Sequence, residues 1–281
     1  MGSSRNVILC ADDFGLSDGV SRGILELAAM GRLSATGAMT NMPGWRRAAP
    51  DLKPLKQRIA VGLHLNFTVG VPLGEMPALA AGGVFPPLQI LLAKALKRQL
   101  QASEIAAEIA RQLDTFTQAF GEAPAFVDGH QHVHVLPGIR QALIQALAAR
   151  GYAGHTWLRD PSDRAASVLR RPIGRSKALV VKALAKGFAR QAHLAGFSTN
   201  RGFSGFAPLD LSVPVERVFG EAFSHLGPHP LVMCHPGYVD DGLRALDPVV
   251  ESRIEELNYL KSDAFRELLE HRGLRLSPEI A

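Results

Sequence analysis

Short apolar runs alternate with segments of helical periodicity along most of this chain. The apolar runs have the length of buried strands and lie at 6–11, 34–41, 59–66, 125–129, 153–158, 230–235 and 274–277. Helical segments lie between them, at 18–31, 44–55, 88–100, 103–120, 138–150, 213–226 and 250–271. Strands separated by helix-length segments are typical of parallel βαβ units. With about seven strands, we predict one barrel-like α/β domain with a core over 6–277, and an open doubly wound sheet is the alternative.

Two segments interrupt this alternation. Residues 67–87 are rich in glycine and proline and follow a strand that carries His64, so we expect a long loop in the wall of a substrate cleft. Residues 160–210 carry many basic side chains, and the stretch from Lys177 to Phe188 has the pattern of a basic amphipathic helix. Such a helix either packs its apolar side on the core or lies on a membrane surface.

The composition is that of a folded protein. Of 281 residues, 47% are hydrophobic and 20% are charged, which excludes a disordered chain. The formal charge of +5 fits an ordinary basic protein or one attracted to an anionic surface or substrate, and we expect no nucleic-acid partner.

The two cysteines indicate a reducing compartment. Cys10 and Cys234 both lie in apolar runs, so we expect buried thiols and no disulfide framework. The first residues lack the apolar core of a signal peptide, and no apolar run reaches the length of a membrane span. These features predict a cytoplasmic protein, and a homodimer is compatible with them.

Acids and histidines stand at the ends of four of the predicted strands. Asp12 and Asp13 follow the first, His64 lies at the end of the third, residues 128–134 (Asp-Gly-His-Gln-His-Val-His) follow the next, and His235 ends another. The carboxyl ends of parallel strands converge on one face, where active sites of α/β folds lie. This convergence predicts a metal-dependent hydrolase.

The adjacent acids allow two interpretations. One carboxylate could bind a divalent metal, which lowers the pKa of a bound water, while the other takes a proton from that water. An aspartate at a strand-to-helix turn is also a common helix N-cap, and taken alone the pair favours that interpretation. Likewise, His64 alone in an apolar strand is more often a core residue than a ligand.

The run of histidines is the stronger metal signal. His130, His132 and His134 lie within five residues and follow Asp128, which packing seldom requires. They share one face if the strand continues and fan out if it turns. His235 precedes a Pro-Gly turn, where it could donate a proton to a leaving group or merely stabilise the turn. No phosphate-binding Gly-x-x-x-x-Gly-Lys loop is present in the sequence.

Four motifs in this order resemble the YdjC-type carbohydrate deacetylases, a family that includes chitooligosaccharide and hopanoid-associated deacetylases. They are Ala-Asp-Asp-Phe-Gly-Leu-Ser at 11–17, Gly-Leu-His-Leu at 62–65, Asp-Gly-His-Gln-His-Val-His at 128–134 and Met-Cys-His-Pro-Gly at 233–237. The resemblance implies a single-domain distorted (β/α) barrel and removal of an N-acetyl group from an amino sugar, with release of acetate.

The resemblance also implies the roles of individual residues. Asp13, His64 and His130 would bind one divalent metal, Asp12 would be the general base, and His235 the general acid. Four further residues are expected to orient the ligands or contact the substrate, namely Asp128, His132, Asn66 and Arg159. No separate organic cofactor is expected. The metal would be Mg or Zn, and Mn, Co and Ni also suit two histidines and one aspartate.

Segment 160–210 matches the chitooligosaccharide enzymes poorly, which leaves the sugar open. An oligosaccharide and a lipid-linked glycan such as a glycosylated hopanoid are both substrate hypotheses, the second with weak peripheral contact to a membrane. Two other functions use the same residue types: a metal-dependent phosphoesterase or other amidohydrolase, and a non-catalytic protein that binds sugar or metal. The presence of both Asp12 and Asp13 disfavours the last, because binding alone needs only the ligand.

Overall fold

A parallel β-sheet forms the centre of the molecule. The computed structural model describes residues 4–248 and 250–280. Its strands are β1 (Arg5–Phe14), β2 (Ala35–Ala38), β3 (Ala60–Leu65), β4 (Phe126–Gly129), β5 (Trp157–Leu158), β6 (Phe203–Ser204), β7 (Leu231–Cys234) and β8 (Leu274–Leu276). The sheet has the order β5-β4-β3-β2-β1-β7-β6, and β8 pairs with the start of β1. All of these strand pairs are parallel.

Helices follow most of the strands and surround the sheet. They are α1 (Asp18–Ala29), α2 (Trp45–Leu52), α3 (Leu88–Leu96), α4 (Ala102–Phe120), α5 (Ile139–Ala149), α6 (Ala165–Arg170), α7 (Arg175–Leu184), α8 (Phe188–Leu194), α9 (Val215–Ala222), α10 (Asp241–Leu246), α11 (Glu251–Lys261) and α12 (Asp263–His271). Ser17 caps α1 through a hydrogen bond from the Val20 amide. Ser262 separates α11 from α12 because its side chain caps the second helix.

The sheet is curled, and its two edges approach one another. The edge strands are β5 and β6, and an isolated parallel bridge joins Leu158 to Thr199, just before β6. The Asn200 side chain strengthens this seam: it accepts a hydrogen bond from the Asp160 amide at 2.8 Å and donates one to the Gly202 carbonyl. The prediction of one barrel-like α/β domain with about seven parallel strands is confirmed.

Both faces of β1, the central strand, are buried. Leu9 packs in the larger cluster between the sheet and the helices, whereas its neighbour Cys10 belongs to a smaller cluster on the opposite face. That smaller cluster fills the inside of the curl and includes Phe126 and Trp157, whose rings stack with centroids 4.5 Å apart. Gly62 in β3 leaves room for them, since a Cβ there would lie 2.5 Å from the Phe126 ring.

Only one of the two irregular segments lines the cleft, because none of residues 67–87 does, and the expectation that this loop forms the cleft wall is therefore wrong. Residues 67–87 form a loop between β3 and α3, and the predicted basic helix is α7. No residue of α7 is buried, and the side chains of Leu179 and Val180 are exposed. The expectation that α7 packs its apolar side on the core holds in part, because Leu184 packs against the core whereas Val180 and Val181 line the cleft. None of the described helices combines the length and apolar character needed to cross a bilayer.

Candidate active site

Four strands deliver polar side chains to one edge of the sheet. Asp12 and Asp13 lie near the end of β1, which is flanked by β2 and β7. His64 in β3 pairs in register with Asp128 in β4, and His235 directly follows β7. Parallel strands bring these carboxyl ends together although the residues are far apart in sequence.

Asp13, His64 and His130 form a compact cluster of metal-ligating atoms. One ligand atom from each lies within 4.8 Å of the other two, and all three residues are buried. Oδ1 of Asp13 is 2.9 Å from Nδ1 of His130 and 3.3 Å from Nε2 of His64. One carboxylate and two imidazoles that face a cleft are typical of a catalytic divalent-metal site with open coordination positions.

Asp128 orients His64 for this role. Its Oδ1 lies 2.7 Å from Nδ1 of His64. Because a carboxylate can only accept, Nδ1 carries the proton, and Nε2, which faces Asp13, is the nitrogen that would bind a metal. Burial opposes protonation of His64, but the carboxylates of Asp128 and Asp12 outweigh it and raise its pKa to about 10. The surroundings thus favour positive charge at this point, which a divalent cation would also supply.

Arg253, a buried residue of the C-terminal part, holds Asp13 and is itself paired with Asp247. Nη2 of Arg253 lies 2.7 Å from Oδ2 of Asp13 and 2.6 Å from Oδ2 of Asp247. This contact leaves Oδ1 of Asp13 to face the histidines. Burial opposes ionisation of Asp13, but His130 and Arg253 hold the pKa of its carboxyl well below the usual range. Asp13 also has φ = 73°, a left-handed conformation that is strained for an aspartate and is common at functional sites.

Arg159 makes a two-pronged ion pair with Asp12. Its Nη1 and Nη2 lie 2.7 and 2.6 Å from the two carboxylate oxygens, and the guanidinium is fully buried. Nη2 also lies 2.5 Å from Oδ2 of Asp128 and 2.9 Å from Sγ of Cys10. Burial opposes ionisation of Asp12, but attraction to Arg159 and His64 holds the pKa of its carboxyl below the usual range. Asp12 is therefore ionised at neutral pH.

The histidine run turns, so its side chains fan out. β4 ends at Gly129, and a short 3₁₀ helix with left-handed residues follows. His130 faces Asp13, whereas the ring of His132 contacts that of Phe206 and His134 Nε2 lies 2.9 Å from the carbonyl oxygen of Arg159. The expectation that His132 orients a ligand ring has no hydrogen bond to support it among the described residues, although His132 does line the cleft.

Asn66 requires a correction, because it holds the loop rather than the ligands or the substrate. Its side chain is fully buried, and its Oδ1 accepts hydrogen bonds from the amides of Thr68 and Val69. Its Nδ2 donates to Asn41 and to the Val69 carbonyl. An asparagine that opens a glycine-rich loop commonly bonds to the backbone two or three residues on, and this signal is present in the sequence.

His235 lies in the wall of the cleft. Its backbone amide donates to Oε2 of Glu256 at 2.6 Å, which fixes the chain at this point. Its Nδ1 is buried and has no hydrogen-bond partner among the described residues. The imidazole is thus at the cleft and has a nitrogen available to a bound molecule.

The cleft above these residues has a volume of about 540 Å³. The candidate metal ligands, Asp12 and His235 line it, together with Arg253 from α11. One wall is apolar and comes from α3, from α7 and from the segment after β6, with Leu88, Val180, Val181, Phe206 and Leu209. A cleft with a polar floor and an apolar wall suits a ligand that carries both kinds of group.

The sequence did not identify the site residues that the C-terminal part of the chain contributes. Arg253, Asp247 and Glu256 lie in or near α11, outside every motif. Nothing local in the sequence distinguishes Arg253 from a surface arginine, because its partner Asp13 lies 240 positions away. Glu256 likewise has no local sequence feature that distinguishes it from other glutamates in helices.

Comparisons with known proteins show the family of this chain. Residues 6–271 match the model of the family described as YdjC-like protein. A chitooligosaccharide deacetylase of Escherichia fergusonii is 32% identical over 273 residues, which cover 97% of each chain. A solved structure from Enterococcus faecalis, provisionally described as a cellobiose-phosphate cleavage protein, has a TM-score of 0.73 at 22% identity and covers 98% of this chain and 97% of its own. This chain belongs to the YdjC-like family.

Proposed function

We propose that this protein is a metal-dependent hydrolase that removes the N-acetyl group from an acetamido sugar and releases acetate. The observation that carries the proposal is the cluster of Asp13, His64 and His130 beside the Asp12–Arg159 pair at the floor of one cleft. The relative at 32% identity supports the reaction class, since its name describes deacetylation of chitooligosaccharides.

Asp13, His64 and His130 would hold the ion. A bound divalent ion would lower the pKa of water and polarise the acetamide carbonyl. Asp128 keeps the proton of His64 on Nδ1, and Arg253 occupies the second oxygen of Asp13. Both contacts prearrange the donors so that little reorganisation is needed on binding.

Asp12 is the proposed general base. Its carboxylate lines the cleft beside the ligand cluster, and Arg159 fixes its direction through two hydrogen bonds. Arg159 also keeps Asp12 ionised, so the carboxylate is ready to accept a proton from the attacking water over the neutral pH range.

His235 is the proposed general acid. It is a cleft residue that directly follows β7, the strand beside β1, and imidazole is the side chain that most often transfers protons near neutral pH. Protonation of the departing amine by His235 would allow the C–N bond to break, with the amino sugar leaving as an amine and the acetyl group as acetate.

We further propose that the substrate carries an apolar group and that segment 160–210 determines this preference. The apolar cleft wall and the exposed Leu179 and Val180 of α7 support a lipid-linked glycan, such as a glycosylated hopanoid, over a free oligosaccharide. Lysines beside these residues would favour transient contact with an anionic membrane from the cytoplasmic side, by a monomer or a homodimer. Binding to anionic vesicles no stronger than that of an unrelated basic protein would contradict this part.

The experiment that tests the function is a release assay on chelated protein. The protein is stripped of ions, supplied separately with Mg, Zn, Mn, Co or Ni, and offered acetylated mono-, oligo- and lipid-linked sugars as well as phosphate esters. We expect acetate release that depends on the ion, with Mg or Zn most effective. Phosphate release without acetate would favour a phosphoesterase, and neither product would favour a binding protein.

A further inference from the structure

A second cavity adjoins the catalytic cleft. It has a volume of about 300 Å³ and lies between α9, α11 and the segment that follows β6. Ala207 and Leu209 line both this cavity and the cleft, so one stretch of chain separates them. The proposed mechanism leaves this second cavity unused.

The cavity is lined by acids in a protein whose net charge is positive. Its carboxylates come from Asp210, Glu216, Glu255 and Glu256, and no lysine, arginine or histidine is among the described residues that line it. Glu256 is only 5% exposed; the amide of His235 donates to it, and His235 and Arg253, which lie outside the lining, attract it electrostatically. A lining that carries four carboxylates and no basic side chain favours a positively charged ligand.

A buried hydroxyl is a second, independent observation. Ser252 lines the cavity and is 9% exposed, and its Oγ has no hydrogen-bond partner among the described residues. Ser252 lies four residues before Glu256 and three before Glu255, so all three share one face of α11. Because buried hydroxyls are nearly always hydrogen-bonded, the unpaired Oγ of Ser252 indicates a ligand that supplies the missing partner.

The arrangement does not fit a metal ion. In the described part of the chain, clusters of three ligand atoms close enough for one ion occur around Asp13 and around Asp12, and none occurs in this cavity. The carboxylates are spread over a volume that holds a small organic molecule. The cavity also has apolar lining at Val213, Pro214 and Val215, against which a ring can pack.

We propose that this cavity binds a 2-amino-2-deoxy sugar unit in its ammonium form. The ammonium group would lie among the glutamates, a ring hydroxyl would bond to Ser252, and the ring would pack on the apolar side. This inference deepens the proposed function, because a deacetylase releases such an amine. It implies that a glycan with a free amine on one unit binds better than its fully acetylated counterpart.

The test is a calorimetric titration of the intact protein with D-glucosamine, slightly below neutral pH so that the amine is protonated. We expect Glu255→Gln and Glu216→Gln each to weaken binding about threefold, because each removes one exposed charge. D-glucose, which lacks the amine, should bind at least tenfold more weakly than glucosamine. Glu267→Gln, which makes the same change on the exposed face of α12, is the matched control and should leave binding unchanged.

Ser252→Ala separates ligand binding from a structural role. The hydroxyl has no internal partner to lose, so the variant should keep or raise the midpoint of thermal unfolding, while glucosamine binds about threefold or more weakly. Glucosamine bound in the catalytic cleft would be insensitive to these variants. Equal binding by the wild type and Glu255→Gln, or by glucose and glucosamine, would overturn the proposal. These titrations need no turnover, so their failure is distinct from a failure to release acetate.

Discussion

Asp12→Asn tests the proposed base with the least change of shape. The substitution removes the charge but keeps one oxygen that can accept from Arg159, which retains its contact with Asp128 at 2.5 Å. Loss of a general base lowers turnover by about 10²- to 10⁴-fold, or roughly 3–5 kcal/mol of barrier. Because Asp12 is outside the proposed ligand cluster, the variant should still bind about one ion per chain.

The same change also weakens a buried ion pair, so stability must be measured beside activity. Breaking a buried pair costs about 3–5 kcal/mol when the remaining charge is isolated. Arg159 keeps a second carboxylate, so we expect about 1–3 kcal/mol for Asp12→Asn. Asp163→Asn is a matched control, because Asp163 forms a buried pair with Arg171 outside the catalytic cleft.

The assay combines acetate release, metal content and urea unfolding for both variants. Because Arg171 keeps no second carboxylate among the described residues, we expect Asp163→Asn to lose at least as much stability, with turnover lost only in Asp12→Asn. Turnover within threefold of wild type in a metal-loaded Asp12→Asn protein would refute the base assignment. Equal loss of turnover in Asp163→Asn would show that fold damage, not the missing base, explains the result.

Three further predictions follow from the contacts. Asp128→Asn should weaken metal binding by about 10- to 100-fold in an equilibrium titration, because a neutral amide replaces the carboxylate that fixes the proton of His64. Burial lowers the pKa of His134 from 6.5 to about 4, so the unfolded chain binds the proton more readily between these values and stability falls as the pH is lowered through them. His134→Gln should therefore lose less stability in that window, by up to about 3 kcal/mol, in unfolding curves measured at several pH values. Gly205→Ala should lower the unfolding temperature, since the backbone has φ = +101° and a Cβ would lie 2.1 Å from the carbonyl oxygen of Met233.

The site residues at the strand ends could be predicted from the sequence because two simple patterns coincide there. Apolar runs with buried residues on both faces identify parallel strands, and a polar residue at the end of such a run lies at the carboxyl edge. Asp12, Asp13 and His64 were found in this way, and the structure brings Asp13 and His64 within ligand distance of His130.

The directions of the neighbouring side chains could not be predicted from the sequence. His130, His132 and His134 point to three different surroundings because left-handed residues interrupt the turn after β4, and no local signal in the sequence fixes that conformation. Arg253 reaches Asp13 from a helix near the other end of the chain, and only the assembled fold brings them together. For α7, amphipathic periodicity gives an apolar side but does not show that Val180 and Val181 line the cleft while Leu184 packs on the core.

The account depends on one divalent ion held jointly by Asp13, His64 and His130, and equilibrium metal binding tests this directly. The chelated wild type and a variant with all three residues changed to alanine are titrated with Zn²⁺ and with Mg²⁺ by calorimetry. We predict about one tight site per chain in the wild type for at least one of the two ions and loss of that site in the triple variant. Equal binding by the two proteins, or no tight site in the wild type, would contradict the account.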